Sequence, residues 1–272
     1  MLKKEQEYAK TTFDEVATRY DEIPFFKISA RHVVEIVKEH KKETALEVLD
    51  VACGTGNVVL ECASCMEKAR FDAVDISTGM LEKAEGNAKE RGLENISFKL
   101  QDVTKLDSDK KYDVITCSYA LFFLPDAHEV LKVLVTRLKE DGMVIFTSFT
   151  SKAFNPSSDI LLRLLEKYGS KSAKEYERDK WENLKRREDI ERLCGMSNIE
   201  NISIESKNIR YNMSVDEWWE LFNNTGFKGM LMELSSENYE HVKKEFYEEM
   251  FKEADMDGEI ELIADSYFTV VR

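Results

Sequence analysis

The sequence predicts an α/β fold with a mainly parallel sheet, and three observations carry that reading. Strand-like apolar runs alternate with helical periodicity up to about residue 150, as successive β-α-β units require. The first clear run, Ala45 to Val51, enters a glycine-containing turn at Cys53-Gly54-Thr55-Gly56. Acidic residues then follow the next two runs, Asp75 after the second and Asp102 after the third. The carboxyl edge of an open sheet is where such folds bind ligands.

Taken in order, two helical patterns come first, roughly Lys4 to Tyr20 and Ile28 to Lys41, separated around Pro24. After the first strand, helical spacing runs from about Asn57 to Glu67. Phe71 to Val74 reads as a second strand, Ser77 to Arg91 as a helix and Ile96 to Leu100 as a third strand. Tyr112 to Cys117 is the fourth, followed by a helix from about Ala127 to Lys139. Asp141-Gly142 is a turn signal before a fifth strand, Met143 to Phe149. Beyond it, residues 157–192 read as helical, Asn198 to Tyr211 as a strand and Ser214 to Asn223 as a helix. A long acidic helix ends at Asp257-Gly258, before a last strand to Arg272. One domain results, with residues 1–41 as a helical lid, 42–150 as a binding core and 151–272 as cap helices and the last two strands.

Composition narrows the function. With 53 acidic and 39 basic residues the net charge is −14, opposite to the basic footprint of a nucleic-acid binder. Twelve carboxylates and three lysines fall between Glu233 and Asp265, a pattern expected of a solvated face. The five cysteines are an odd number without a secreted framework. Cys62 and Cys65 lack the second pair or nearby histidine that zinc needs, so both are expected to pack the buried face of a helix. Asp255-Met-Asp-Gly258 looks like a calcium loop, but Ala264 stands where the bidentate glutamate belongs, so no metal is expected. There is no apolar leader and no run approaching the ~20 residues of a membrane span, which points to a cytoplasmic protein.

The residues that carry chemistry sit at strand ends. Glycines in the first turn let the backbone approach a ligand, and the helix after it offers free N–H groups. Asp75 lies 19 residues after Gly56, placed to accept hydrogen bonds from both hydroxyls of a ribose. Asp102 can accept from an adenine amino group, while the Val103 amide can donate to a ring nitrogen.

Val48-Leu-Asp-Val-Ala-Cys-Gly-Thr-Gly-Asn-Val-Val59 resembles the first motif of class I S-adenosylmethionine-dependent methyltransferases. Ala73-Val-Asp-Ile-Ser-Thr-Gly-Met-Leu81 resembles their second motif, and Gln101-Asp-Val103 their adenine-binding motif. The stretches 112–126 and 138–146 resemble the fourth and fifth strands, so the resemblance covers about residues 40–150. Phe13-Asp-Glu-Val-Ala-Thr-Arg-Tyr-Asp21 is similar to the opening of the ubiquinone/menaquinone-biosynthesis C-methyltransferases. The resemblance implies a Rossmann-like, mainly parallel seven-stranded sheet with an antiparallel last strand and S-adenosylmethionine as cofactor. It places Ala52, Gly54 and Gly56 around the methionine part, with Asp50 ordering the loop or meeting the ammonium. It puts the ribose on Asp75, the adenine against Ile76 and Met80 with its edge on Asp102 and Val103, and Ser118 near the sulfonium.

Methyl transfer needs alignment and exclusion of water, and a base only where the nucleophile must lose a proton. Tyr20, Tyr119 and His128 are the catalytic candidates, His128 being as well suited to the surface. Aromatics cluster at Phe13, Phe25, Phe26, Phe122, Phe123, Trp218, Trp219 and Phe222. Adjacent Trp218 and Trp219 are not expected to share one inward stripe, so one should line a groove. An aromatic wall suits a small flat acceptor: a phenol, quinol-like ring, thiol or amine. A nicotinamide dehydrogenase would want a third glycine where Val59 stands, and would leave Asp102 without a role. A cofactor-binding protein without turnover would carry the same motifs. The sequence sets no oligomeric state.

Overall fold

The computed structural model describes residues 4–42, 45–106, 109–176 and 180–272. The chain opens with α1 (Lys4–Val16) and α2 (Pro24–His40), then alternates strictly. β1 (Glu47–Val51), α3 (Asn57–Cys65), β2 (Arg70–Asp75), α4 (Thr78–Glu90) and β3 (Ile96–Leu100) form the first half. β4 (Tyr112–Ser118), α5 (Ala127–Thr136) and β5 (Leu138–Phe149) continue the sheet. The cap follows as α6 (Ser157–Lys167), α7 (Lys171–Glu175) and α8 (Arg187–Met196), then β6 (Ile202–Lys207), β7 (Arg210–Ser214), α9 (Val215–Asn223), α10 (Lys228–Met232) and α11 (Ser236–Glu253). β8 (Glu259–Ile263) and β9 (Ser266–Val271) end it.

The main sheet has seven strands in the order β3-β2-β1-β4-β5-β9-β6, with β9 antiparallel to both neighbours. This is the fold expected from the sequence. Its faces follow from strand periodicity: Val48 and Phe71 turn to one side with Val33, Val37 and Val59, while Leu49 and Ile115 turn to the other with Leu131 and Leu193. Helices on both sides bury central strands that read as continuous apolar runs.

Local chemistry sets the boundaries. Pro24 occupies the first turn of α2, where a missing N–H costs nothing, so the helix starts earlier than its periodicity alone predicts. Ser77 caps α4 by accepting from the Met80 amide at 3.1 Å. Ser214 and Glu217 form a reciprocal capping box at α9. Asp141-Gly142 lies inside β5, where the register against β4 shifts between Tyr112 and Val114; the turn signal makes a bulge, and the helix before it stops at Thr136.

Four further readings are corrected. The helical stretch 157–192 is broken into separate pieces; its residues 177–179 lie outside those described. The strand expected from Asn198 to Tyr211 is two strands, β6 in the main sheet and β7 paired with β8 in a small second sheet. Trp218 and Trp219 are both buried, at 0% and 2% exposure, because α9 lies between the β7–β8 pair and α11. Trp218 donates its indole N–H to the Ile260 carbonyl, while Trp219 packs against Tyr239 and Phe246. Cys62 is buried but Cys65 is exposed at the end of α3.

The last strand is also split, at Asp265. Its buried carboxylate accepts from the Ile209 amide at 3.1 Å and from the Arg210 guanidinium, fixing the corner where the chain passes from β8 to β9. Arg210 is partly exposed, so its charge can be rehydrated; the Ile209 amide cannot. Asp265→Ala should therefore cost about 2 kcal/mol in urea unfolding, chiefly from the stranded amide. A loss below about 0.5 kcal/mol would show that the corner is held by packing alone.

Candidate functional site

The site grows from the carboxyl ends of β1 to β4. After β1, Gly54 and Gly56 take φ of +56° and +86°, left-handed values that a side chain resists. A Cβ on Gly56 would also stand 3.1 Å from Leu60 Cδ1, so this turn lies tight against α3. Ala52 and Tyr119 share the left-handed region, at +51° and +52°, without being glycine. Both lie at strand ends bordering the same cleft.

Asp75 joins two of the loops. Its Oδ2 accepts from the Gly54 amide and its Oδ1 from the Ser77 amide, each at 2.8 Å. Burial raises its pKa, opposed by those two amide bonds. Asp102 caps the short helical turn at Val103, Oδ1 accepting from the Thr104 amide and hydroxyl and from the Gln6 side chain. Its Oδ2 has no hydrogen-bond partner of good geometry, although Lys105 Nζ stands 3.3 Å away. Ser118 Oγ, also buried, has no partner.

These residues surround a cleft of about 100 Å³. Of the residues expected from the sequence, Ala52, Gly54, Asp75 and Ser118 line it, together with Ile76, Met80, Asp102 and Val103. Tyr20 and Tyr119 border it as well. Gly56 and Asp50 are not on its wall. Asp50 is enclosed beneath, its Oδ1 accepting from Thr116 Oγ1 at 2.6 Å and its Oδ2 unpartnered. His128 lies elsewhere, on α5 with Nε2 3.3 Å from Glu129, and borders neither the cleft nor the cavity described next.

A second cavity, of about 450 Å³, adjoins the cleft and shares Phe13, Tyr20, Tyr119 and Phe123 with it. Its walls are aromatic: Tyr119 stacks on Phe149 at 4.3 Å and Tyr20 on Phe26 at 4.5 Å, with Phe25 and Phe154 beside them. Phe13, Phe25, Phe26, Phe122 and Phe123 were legible as an aromatic cluster; Phe149, Phe154 and Phe227 were not, since it is the fold that brings their rings to the same cavity. The Tyr119 hydroxyl lies 2.9 Å from Ser29 Oγ and 2.8 Å from Ser266 Oγ. Burial pushes its pKa up to about 12 and raises that of Tyr20 further.

Sequence reasoning missed the polar clasp of the N-terminal segment. Asp14 accepts from Ser77 Oγ at 2.6 Å and the Gly79 amide at 3.0 Å. Asp21 accepts from Thr55 Oγ1, Asn57 and Asn87. With Gln6 on Asp102, residues of this segment bond the loops after β1, β2 and β3. Close approach to α10 adds to this: a Cβ on Gly229 would stand 2.5 Å from Tyr8 Oη. No signal beyond the order of Tyr20-Asp21 in the quoted pattern announces these pairs.

A family model described as a methyltransferase domain matches residues 42–226, two thirds of the chain. The chain belongs to this family, within the class I S-adenosylmethionine-dependent methyltransferases. A malonyl-[acyl-carrier protein] O-methyltransferase of Bacillus cereus is 28% identical over 144 residues, 52% of each chain. A demethylmenaquinone methyltransferase of Lactococcus lactis is 28% identical over 189 residues, 65% of this chain and 75% of that one, in keeping with the menaquinone-type resemblance. The chain spans about half the length of the first of these relatives. The solved structure of a plantazolicin methyltransferase in complex with S-adenosylhomocysteine covers 98% of this chain and 95% of its own, with a TM-score of 0.56 at 15% identity; it shows the shared fold.

Asp50 offers a test of the enclosed part of the site. Burial pushes its carboxyl up to about 7, against the hydrogen bond from Thr116. The folded state therefore holds this proton more tightly than the unfolded chain. The stability that Asp50 contributes is full below about pH 4 and is lost as pH rises through about 7. Asp50→Asn keeps an acceptor for Thr116 and escapes that loss. Its stability relative to the parent, followed by melting, should climb between pH 5 and 8 by at most about 3 kcal/mol. A difference independent of pH would mean that Asp50 is already ionised in the fold.

Proposed function

We propose that the protein transfers a methyl group from S-adenosylmethionine to a small acceptor seated in the aromatic cavity. The observation that carries this is the adjacency of the two spaces: the cleft formed by the motif loops and the 450 Å³ cavity share four aromatic wall residues. The residues fit the cofactor by their own unmet needs. Ser118 Oγ is buried without a hydrogen-bond partner, and Asp102 Oδ2, with Lys105 Nζ alone at 3.3 Å, can take a further donor such as the adenine amino group. Asp75 keeps a lone pair on each oxygen for the ribose beyond its two amide bonds, and Ile76 and Met80 supply an apolar wall for the base.

When bound, S-adenosylmethionine supplies an electrophilic methyl group on a sulfonium with a good leaving group. The protein's part is to bind, orient and keep water out. Tyr20, Phe13 and Phe123 offer π faces to a cation at the junction. Tyr20 and Tyr119 stay protonated at neutral pH and so serve as wall and donor, not as bases. Among the described residues, no carboxylate or histidine is shared by cleft and cavity. The acceptor atom must therefore arrive with its lone pair free, as a thiolate, carboxylate, ionised phenol or neutral amine. The relatives act on an acyl-carrier-bound malonyl group and on demethylmenaquinone by name, which leaves room for both a small acid and a quinol-type ring. All five cysteines are free thiols and no described helix is long and apolar enough to cross a membrane; a reducing cytoplasmic setting is part of the proposal.

Calorimetric titration with S-adenosylmethionine and, separately, NAD tests the cofactor: micromolar affinity for the first alone is expected. Asp75→Ala should weaken that binding by about 1–3 kcal/mol while the protein stays folded. Unchanged affinity would remove the ribose from Asp75.

The absence of a base at the junction predicts the pH profile of turnover. Its midpoint should move with the acceptor's own pKa when thiols of different acidity are compared. One midpoint common to all acceptors would instead reveal a titrating group of the protein.

A further inference from the structure

The aromatic cavity also has polar wall residues. Lys185, Tyr176 and Asn155 line it, and none of the three borders the cofactor cleft. Lys185 is held there from below. The preceding residue, Leu184, is fully buried in the left-handed region, and its carbonyl accepts from Ser148 Oγ on β5 at 2.8 Å. Lys185 Nζ donates to Tyr176 Oη at 3.0 Å and lies 5.4 Å from the centroid of that ring.

No carboxylate lies within ion-pair distance of Lys185 among the described residues. Two of its three protons are unspent. Because Tyr176 accepts from Lys185, its own hydroxyl proton is available as well. Asn155 accepts from Ser158 Oγ through its carbonyl, which leaves its NH₂ to donate. Asp159, the carboxylate among the described lining residues, also lines an outer groove with Arg163 and Lys252. The lining of the aromatic chamber thus carries one positive charge, on Lys185, with Tyr176 bonded to it and Asn155 as a further donor, beside Ser151, Asn183 and Thr225.

Resting on the acceptor site proposed above, we infer that the acceptor is a flat apolar molecule bearing a carboxylate, bound by Lys185 with Tyr176 and Asn155. The aromatic walls hold its body and the junction holds its methyl-accepting atom. A neutral analogue of the same shape would leave the lysine desolvated without a counter-charge, and that cost supplies the selectivity.

Mercaptobenzoic and hydroxynaphthoic acids, each beside its carboxamide, can be titrated into the full chain saturated with S-adenosylhomocysteine. At least one acid should bind about tenfold tighter than its amide, the scale of one charge-assisted hydrogen bond. Lys185→Gln should abolish that preference, weakening the acid about tenfold while leaving the amide and S-adenosylhomocysteine as before; Lys185→Arg should restore it. Lys185 is half-buried, and circular dichroism checks that the variants fold. Equal binding of acid and amide, a preference that survives Lys185→Gln, or no acid binding to cofactor-loaded protein would each overturn the inference. Failure to bind S-adenosylhomocysteine would sink the function proposed above instead. The same titrations on the cofactor-free chain would then decide the role of Lys185 by the same acid-to-amide ratio.

Discussion

The Asp75 carboxylate accepts from the Gly54 and Ser77 amides at once, and so holds the ends of β1 and β2 together. Much of the candidate site depends on this double bond. A loop with Gly54 and Gly56 in left-handed conformations has wide freedom before folding, and a single side chain from the neighbouring strand removes most of it. The same bond brings an acid into a buried position that it resists, as the upward shift of its pKa records. Two backbone donors offset that resistance. They also leave each oxygen able to accept once more, so the group that orders the loops is also the one that faces the cleft.

Around this anchor the molecule uses two kinds of wall. Polar pairs from Gln6, Asp14 and Asp21 reach the loops, while rings from Phe13 to Phe227 enclose the cavity. The division is physical: hydrogen bonds fix loop geometry within tenths of an ångström, whereas stacked rings fill space and exclude water. Tyr119 belongs to both. Its ring faces the cavity while its hydroxyl is tied to Ser29 and Ser266, linking α2 and β9 beneath the chamber. Its place after β4 suggested chemistry, and the two serine partners fix where its hydroxyl stands.

How far the sequence was legible depended on how local each signal was. β3 was read to the residue and β1, β2 and β4 within two, since apolar runs and turns are short-range patterns. Asp75, Asp102 and Ser118 were legible because strand ends converge in this fold whatever the cap does. The cap was harder. Whether Asn198 to Tyr211 makes one strand or two depends on Asp265, more than 50 residues away, and nothing near Ile209 announces that partner. Trp218 and Trp219 could be assigned only once α11 was known to lie across α9. Asp14 and Asp21 look like ordinary helix-surface acids until the loops they meet are in place.

The segment that covers the cleft also contributes walls to the chamber, since Phe13 and Tyr20 border both. Under the proposed function this makes one door for two guests. α1 lines the cleft through Gln6, Ala9 and Phe13, so under that proposal the cofactor passes beside it. Whatever displaces α1 unseals the acceptor chamber in the same movement. On that reading, exchange of spent cofactor and departure of methylated product would share one barrier, to which the hydrogen bonds of Gln6, Asp14 and Asp21 contribute. Such an enzyme would be limited in its cycling by the fastening of its lid, however fast the methyl group moves once the lid is shut.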